Sequence, residues 1–488
     1  MARIACVYSV EIYGTAERPL TSWRNVPYGL SLIAACLEKA GHEVRCWVVC
    51  STTDLHAMAL EMIREFRCDC VAATSVTTQF PTVVNVLSEI KRVEPSVLTI
   101  VGGAHPSLNP NNAIELPCID AICIGEGERA MLTIASAIDR GVRPAHVPGM
   151  WFKTPAKLEI DRTPPLPFES EIDSLPPINL KHWEHWVRES DRSFRIVIGR
   201  GCPYGCAYCS NHALKKITTG RYLRVRSPKN ILNEIEKLVE TYPEITELFL
   251  ETETIGAVPG FAIELCKYLE AFNAKRQKPI LFLANLAVTA HLAQNAEETS
   301  AMLTAFRRAN LLHVNIGLES GSERIRKEIL NRPTYTNADL IKFCLVAKEH
   351  GIKVSLFVLM GLPTETVKDY YSTVEVARAC QPNAISESIF YPYPGTKLSD
   401  LSIEMHLFNP DTIDTRSERT AAHLKLKGFP KWRIRFEYVF ITWRVFRGRL
   451  SWLSLTKRMA YKALSVTPNM LSVAHSMWAA VAGPSQAR

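Results

Sequence analysis

The sequence predicts an α/β protein of more than one domain: a doubly wound parallel sheet, then a partial (β/α)6 barrel, then a helical, basic tail. Three observations carry that prediction. Short apolar runs alternate with helix-like stretches over residues 1–140 and again from Phe194 to Phe390. A proline-rich stretch separates the two blocks, and the positive charge gathers behind them. At 488 residues the chain also exceeds what one core holds, since single cores stop growing near roughly 250–300 residues.

In the first block, strands are predicted at Ile4–Val10, Val44–Val49, Cys70–Ser75, Leu98–Val101 and Ala121–Ile124. Helices are predicted between them, such as Tyr28–Lys39, stopped by Gly41, and Pro81–Val93. Apolar runs without alternation suit a parallel sheet covered on both faces. Five such units read as a flavodoxin-like, Rossmann-like domain over residues 1–145, with its ligand at the carboxyl ends of the strands. Those ends carry Ser75, Thr77 and Gln79, then Gly102, Gly103 and His105, then Gly125, Glu126 and Gly127. Glycines there let backbone approach a ligand closely, although tight βα turns in any α/β fold use them too.

Residues 146–190, with Pro148, Pro155, Pro164, Pro165, Pro167, Pro176 and Pro177, read as a stiff connection. The barrel is expected over 191–400. Its strands are predicted at Phe194–Ile198, Glu247–Leu250, Ile280–Leu283, Leu312–Ile316, Lys353–Leu359 and Ala384–Phe390, and its helices include Asn337–Glu349 and Glu365–Ala379. Chemistry belongs on the loops after such strands.

Apolar residues make up 47% and charged residues 22%, the balance of a globular protein. No run of 18 or more apolar residues occurs, and Met1–Val7 lacks the start of a signal peptide, which together point to the cytoplasm. Fourteen cysteines in a reducing compartment suggest metal or buried thiols rather than disulfides. Eleven of them lie in apolar, helix- or strand-like contexts and read as small buried hydrophobes.

The other three stand together. The first barrel strand runs into Gly199-Arg200-Gly201-Cys202-Pro203-Tyr204-Gly205-Cys206-Ala207-Tyr208-Cys209. Thiolates at this spacing can grip three corners of a [4Fe–4S] cube, which takes four ligands, so one iron is left open for a chelating molecule. A structural zinc site is the competitor, with His212 as a fourth ligand to complete a Cys₃His set.

The Cx₃Cx₂C spacing with Tyr208 before the last cysteine resembles the radical SAM superfamily. The resemblance implies a cluster on Cys202, Cys206 and Cys209 whose open iron binds S-adenosylmethionine (SAM). Gly317-Leu318-Glu319-Ser320-Gly321-Ser322 resembles the segment that meets the SAM ribose, with Glu319 and Ser320 carried over. Gly361-Leu362-Pro363-Thr364-Glu365-Thr366 resembles the loop beside the adenine, with Gly361 carried over. Glu251-Thr252-Glu253 stands where relatives carry acidic residues for the methionyl ammonium, in a departure from the usual pattern that leaves open which glutamate serves. Val26-Pro27-Tyr28-Gly29-Leu30, the Gly41-His42-Glu43-Val44 turn, Val101-Gly102-Gly103-Ala104-His105-Pro106 and Ile124-Gly125-Glu126-Gly127-Glu128 together resemble the cobalamin-binding domain fused to many such enzymes. The Asp-x-His-x-x-Gly signature that places histidine on cobalt is missing, so His105 reads as a turn or cofactor-edge residue.

The resemblance implies an enzyme using a [4Fe–4S] cluster, SAM and cobalamin. It would form a 5′-deoxyadenosyl radical and methylate an unactivated carbon of a small-molecule or lipid-like substrate, with electrons from a flavodoxin- or ferredoxin-type protein. Oxidation, cyclisation or rearrangement without methyl transfer is the alternative, and a non-catalytic cobalamin or redox sensor a third reading. No residue of the substrate chemistry itself is legible.

The tail, 401–488, holds 14 Lys/Arg against 5 Asp/Glu, while everything before it is close to neutral. Trp432, Phe436, Trp443 and Trp452 interleave with Arg433, Arg435, Arg444, Arg447, Arg449, Lys457 and Arg458. Three readings stand: a helical cap on the barrel with its basic face in solvent, peripheral contact with the inner membrane face, and, least favoured, nucleic acid.

Overall fold

The computed structural model describes residues 1–11, 14–154, 159–188, 190–410 and 418–465. The chain divides into two compact units, Met1–Asp191 with Ala213–Arg224, and Arg192–His212 with the chain from Val225 onward.

The first unit is built on a seven-stranded sheet. Arg3–Ser9, Glu43–Val49, Cys70–Thr74, Leu98–Gly102 and Ala121–Cys123 pair in parallel in the spatial order second, first, third, fourth, fifth. That is the doubly wound order the sequence predicts. Ile4 lies beside both Val44 and Cys70, so the first strand is central and its residues Ile4–Val7 are buried. Helix Phe80–Val93 buries Phe80, Val83, Val86, Leu87 and Ile90, one stripe at helical spacing. Helix Tyr28–Lys39 ends where Gly41 takes a left-handed conformation, φ 86°.

Two further strands come from the proline-rich stretch. Met150–Thr154 and Glu159–Arg162 pair antiparallel and extend the sheet beyond the fifth strand. The stretch expected as a connector therefore carries structure of its own. Its prolines flank the two strands, and an outermost strand has no partner beyond it whose hydrogen bonds a proline would break.

The second unit holds six parallel strands hydrogen-bonded in chain order: Ser193–Val197, Glu247–Glu251, Leu281–Asn285, Leu311–Glu319, Lys353–Met360 and Ala384–Ile389. Helix Pro228–Thr241 starts with Ser227 capping the Asn230 amide and proline in its first turn. Its buried Ile231, Ile235 and Val239 face the sheet at intervals of four. Thr336 with Asp339 and Thr366 with Asp369 form capping boxes on helices Asn337–Glu349 and Val367–Ala379. The latter starts two residues later than the sequence suggests, because one Glu365 carboxyl oxygen turns back to accept the Gly361 and Leu362 amides.

The tail forms helices Lys431–Phe446 and Trp452–Ser465, and 466–488 lies outside the described residues. Glu437, fully buried, is held by Arg433 at 2.8 Å and by Arg444, and its backbone carbonyl accepts from the Tyr370 hydroxyl at 3.4 Å. Lys462 is buried against Glu387 of the last strand. The helices thus pack on the barrel. Among the described residues no helix is long and apolar enough to cross a membrane.

All eleven cysteines outside the loop are buried free thiols. Burial pushes Cys68 and Cys123 up to about 12, which keeps them inert.

Candidate functional site

The cysteine loop leaves the first barrel strand through Gly201, which sits at φ 84°. The Ala207 amide bonds the Leu330 carbonyl at 2.8 Å and the Asn331 side chain the Gly205 carbonyl at 2.9 Å, so the segment after the fourth strand holds the loop in place. Cys206 is buried, whereas Cys202 and Cys209 are half-buried. Burial raises all three thiols, Cys202 to about 12, and nearby Glu253 and the neighbouring cysteines raise Cys202 further. Asn211 lies 3.5 Å from the Cys209 sulfur, and the Arg332 guanidinium 3.9 Å from that of Cys206.

His212 does not complete this set. Its Nδ1 lies 2.6 Å from the Cys209 carbonyl and its Nε2 accepts from the Lys397 amide at 3.2 Å. Both ring nitrogens are spent on backbone. Among the described residues, no three His, Cys, Asp or Glu side chains converge on the position of a single ion, as zinc would require. Three thiols on one loop, each raised by burial and by a nearby carboxylate, Glu253 for Cys202 and Cys209 and Glu319 for Cys206, suit a multi-iron centre that thiolates ligate. The residues present fit the cluster.

Beside the loop lies a buried group that spacing alone does not reveal. The Tyr208 hydroxyl donates to Glu319 Oε1 at 2.9 Å, and Arg332 donates to the Tyr208 oxygen at 3.0 Å and to the Gly317 carbonyl. Arg332 and Glu319 approach to 3.8 Å, both almost wholly buried. Burial pushes the Glu319 carboxyl up while Arg332 and the Tyr208 hydrogen bond hold it down. Glu319 itself sits at φ 58°, at a bulge against the fifth strand. A Cβ at Gly317 would come within 2.5 Å of Glu319 Oε1, so glycine makes room for the pair.

Ser320, expected at the ribose, is buried and accepts from the Ser322 amide at 3.2 Å. A Cβ at Gly321 would lie 2.3 Å from the Ser372 carbonyl. Glu251 pairs with Arg195 at 3.6 Å. Glu253 is exposed, yet nearby protein still desolvates it and raises its carboxyl; Asn211 opposes the rise and Glu251 adds to it. Gly361 sits at φ 75°, its amide 2.6 Å from the Glu365 carboxylate.

The first unit has a second constellation at the carboxyl edge of its sheet. The Ser75 amide bonds the Gly102 carbonyl at 2.9 Å, and the Ser75 carbonyl accepts from the His105 amide at 3.1 Å. Gly103, at φ 100° and ψ −170°, lies so close that a Cβ would come within 2.6 Å of the Ser75 oxygen. Ser107 donates to the Gly103 carbonyl at 2.7 Å and accepts from the Gly125 amide at 3.0 Å. Gln79 bonds the Ser9 carbonyl at 2.7 Å. Four strand ends are thereby tied into one glycine-rich cradle, which fits a large flat ligand such as a corrinoid.

His105 and Glu126 are engaged within the protein. His105 is buried and stacked on Phe80 at 4.1 Å, its nitrogens facing Thr77 at 3.4 Å and Asn112 at 3.3 Å. It builds the turn. Glu126 takes both guanidinium nitrogens of buried Arg224, at 2.8 and 3.0 Å, and accepts from the Glu169 amide at 2.8 Å. Its carboxylate anchors segment Ala213–Arg224 to the sheet, while Gly125, at φ 89°, and Gly127 flank it.

Comparison with known proteins assigns two domains to the chain. Residues 24–135 match the B12 binding domain and residues 196–377 the Radical SAM superfamily. The chain is 28% identical over 410 residues to the anaerobic magnesium-protoporphyrin IX monomethyl ester cyclase of Rubrivivax gelatinosus, covering 80% of this chain and 70% of that one. It is 26% identical over 381 residues to the hopanoid C-3 methylase of Methylococcus capsulatus, covering 76% and 67%. The radical S-adenosylmethionine methyltransferase TsrM from Kitasatospora setae shares the fold with a TM-score of 0.69 at 15% identity, over 99% of both chains. With a B12 binding domain followed by a radical SAM barrel, the chain belongs to the cobalamin-binding radical SAM superfamily.

Proposed function

We propose that the chain is a cobalamin-dependent radical SAM methyltransferase acting on an unactivated carbon of a small-molecule or lipid-like substrate. The observation that carries this reading is the cysteine loop, with three thiols on one turn and the nearest imidazole turned to the backbone. Cys202, Cys206 and Cys209 would hold the cluster, and the methionyl group of SAM would meet Glu253, with Glu251 behind it. Tyr208 and Glu319 would bound the nucleoside end, Ser320 would fix the turn beneath it, and Gly361 would let backbone approach. Ser75, Thr77, Gln79, Gly102, Gly103, Gly125 and Gly127 would cradle cobalamin, with His105 and Glu126 bracing that cradle. When bound, these groups supply reductive cleavage of SAM to a 5′-deoxyadenosyl radical and a methyl donor. The chain's own part is positioning and exclusion of water.

The Arg332 guanidinium beside the Cys206 sulfur supplies positive charge where reduction adds an electron. A flavodoxin- or ferredoxin-type protein would deliver that electron in the cytoplasm, where thiols stay reduced. The second reading is radical cyclisation or oxidation without methyl transfer, favoured by the 28% identity to a cyclase.

The test is anaerobic reconstitution with iron, sulfide, cobalamin and SAM. Methylation predicts both 5′-deoxyadenosine and S-adenosylhomocysteine, and a product heavier by one CH₂. 5′-Deoxyadenosine without the homocysteine selects the second reading. Alanine at Cys202, Cys206 and Cys209 together should abolish iron loading and SAM cleavage, and a triple variant that keeps its iron refutes both readings.

A further inference from the structure

Helix Lys431–Phe446 is apolar on two sides but covered on one. Ile434, Tyr438, Ile441 and Val445 are buried against the barrel unit. At i, i+4, i+8 and i+11 on the other side stand Trp432, Phe436, Phe440 and Trp443. Trp432 is 67% and Phe436 43% exposed, and the rings of Phe436 and Phe440 stack at 4.5 Å. Trp452 and Leu453, which open the next helix, are also exposed, at 71% and 64%.

The charge around these side chains has one sign. Residues 431–465 contain nine Lys/Arg and a single acid, Glu437. Glu437 is fully buried and already shared by Arg433 and Arg444. Lys462 is spent on Glu387. Among the described residues, Lys431, Arg435, Arg447, Arg449 and Lys457 have no acidic partner. A second copy of this face would set cation against cation. Nucleic acid would need bare ring faces for base stacking, but Arg433 lies over Trp432 and Phe436 at 6.0 and 5.4 Å, and Arg447 over Trp443 at 5.2 Å. Exposed Trp and Phe interleaved with Arg and Lys that lack an acidic partner, such as Arg435 and Lys457, match an interface where rings sit among headgroups and cations meet lipid phosphate.

We propose that the Lys431–Phe446 and Trp452–Ser465 helices dock the protein on an anionic lipid bilayer, with the Trp432–Phe436 stripe seated in the headgroup layer. This does not depend on which radical reaction the barrel performs. The contact would bring the enzyme to the surface of the membrane without spanning it.

The test is flotation of the full chain with vesicles of phosphatidylcholine alone or mixed with phosphatidylglycerol, at low and high salt. Binding is expected only to the mixed vesicles and should weaken in high salt. The pair Trp432→Ala and Phe436→Ala, both exposed and so removable without unfolding, should weaken partition by about tenfold or more. The pair Arg435→Glu and Lys457→Glu should weaken it by a similar factor. The proposal is overturned if the protein fails to float with the mixed vesicles, or floats equally with neutral ones regardless of salt. It is also overturned if either pair of substitutions leaves binding unchanged. If light scattering finds a dimer that Trp432→Ala and Phe436→Ala dissolve, a second copy is the occupant and the lipid reading falls.

Discussion

Replacing Arg332 by methionine should destabilise the barrel unit by about 3–5 kcal/mol, the cost of stripping one partner from a buried ion pair. The geometry sets the scale. Two unit charges 3.8 Å apart, as Arg332 and Glu319 are, interact by roughly 4 kcal/mol at an effective dielectric of about 20. Methionine keeps the stem's volume, so little of the loss is cavity. What remains is Glu319, buried and with the Tyr208 hydroxyl as its surviving hydrogen-bond partner. Its carboxyl is already raised by burial, so its native pKa lies above that of the unfolded chain. Such a group binds more protons folded than unfolded between those two values, and stability therefore falls as pH rises through that window. Losing Arg332 raises the upper edge of the window, so the variant should lose more at pH 8 than at pH 5. Urea unfolding followed by circular dichroism at both pH values reads this directly. The double variant Arg332→Met with Glu319→Gln closes a thermodynamic cycle, and its loss should fall short of the sum of the single losses by about 1–3 kcal/mol. Additivity within about 0.5 kcal/mol, or an Arg332→Met protein as stable as the parent at both pH values, would refute the reasoning.

Gly103→Ala should cost about 1–3 kcal/mol from its backbone conformation alone, since φ 100° with ψ −170° is reserved for glycine. Overlap with the Ser75 carbonyl adds to that and should deform the cradle, so bound corrinoid measured by absorbance after loading should drop; full loading with an unchanged melting temperature would contradict the close packing seen there. Glu365, pushed up to about 8 by burial despite two backbone hydrogen bonds, should be protonated at neutral pH. The parent should then lose stability as pH rises from about 4.5 to beyond 8. Glu365→Gln should flatten that slope in a series of thermal melts, and a variant with the parent's slope would show that another group is responsible.

The strands were legible because parallel strands buried on both faces leave uninterrupted apolar runs, such as Ile4–Val7, that little else produces. The hairpin Met150–Thr154 and Glu159–Arg162 was not, because it lies at a sheet edge among prolines, and an edge strand carries no such run. The cysteine triplet stands out because its three thiols share one loop, so spacing stands in for geometry. Arg332 could not: it lies more than 120 residues from Cys206 and Tyr208, and an arginine before proline in a loop has no local mark of burial. The same gap explains Glu126. Gly-Glu-Gly at a strand end reads as a ligand turn, and only the fold brings Arg224 to its carboxylate from 98 positions away. Propensity places Glu365 in a helix, yet a carboxyl oxygen can serve a loop's own amides as readily as a helix N-terminus, and here the loop wins because two N–H groups converge on one oxygen. In each case the residue type was read and its partner was not. What the sequence leaves unread is therefore the partner of an ionisable side chain, which only the fold delivers, whereas the spacing of the cysteines and the backbone freedom of the glycines can be read locally.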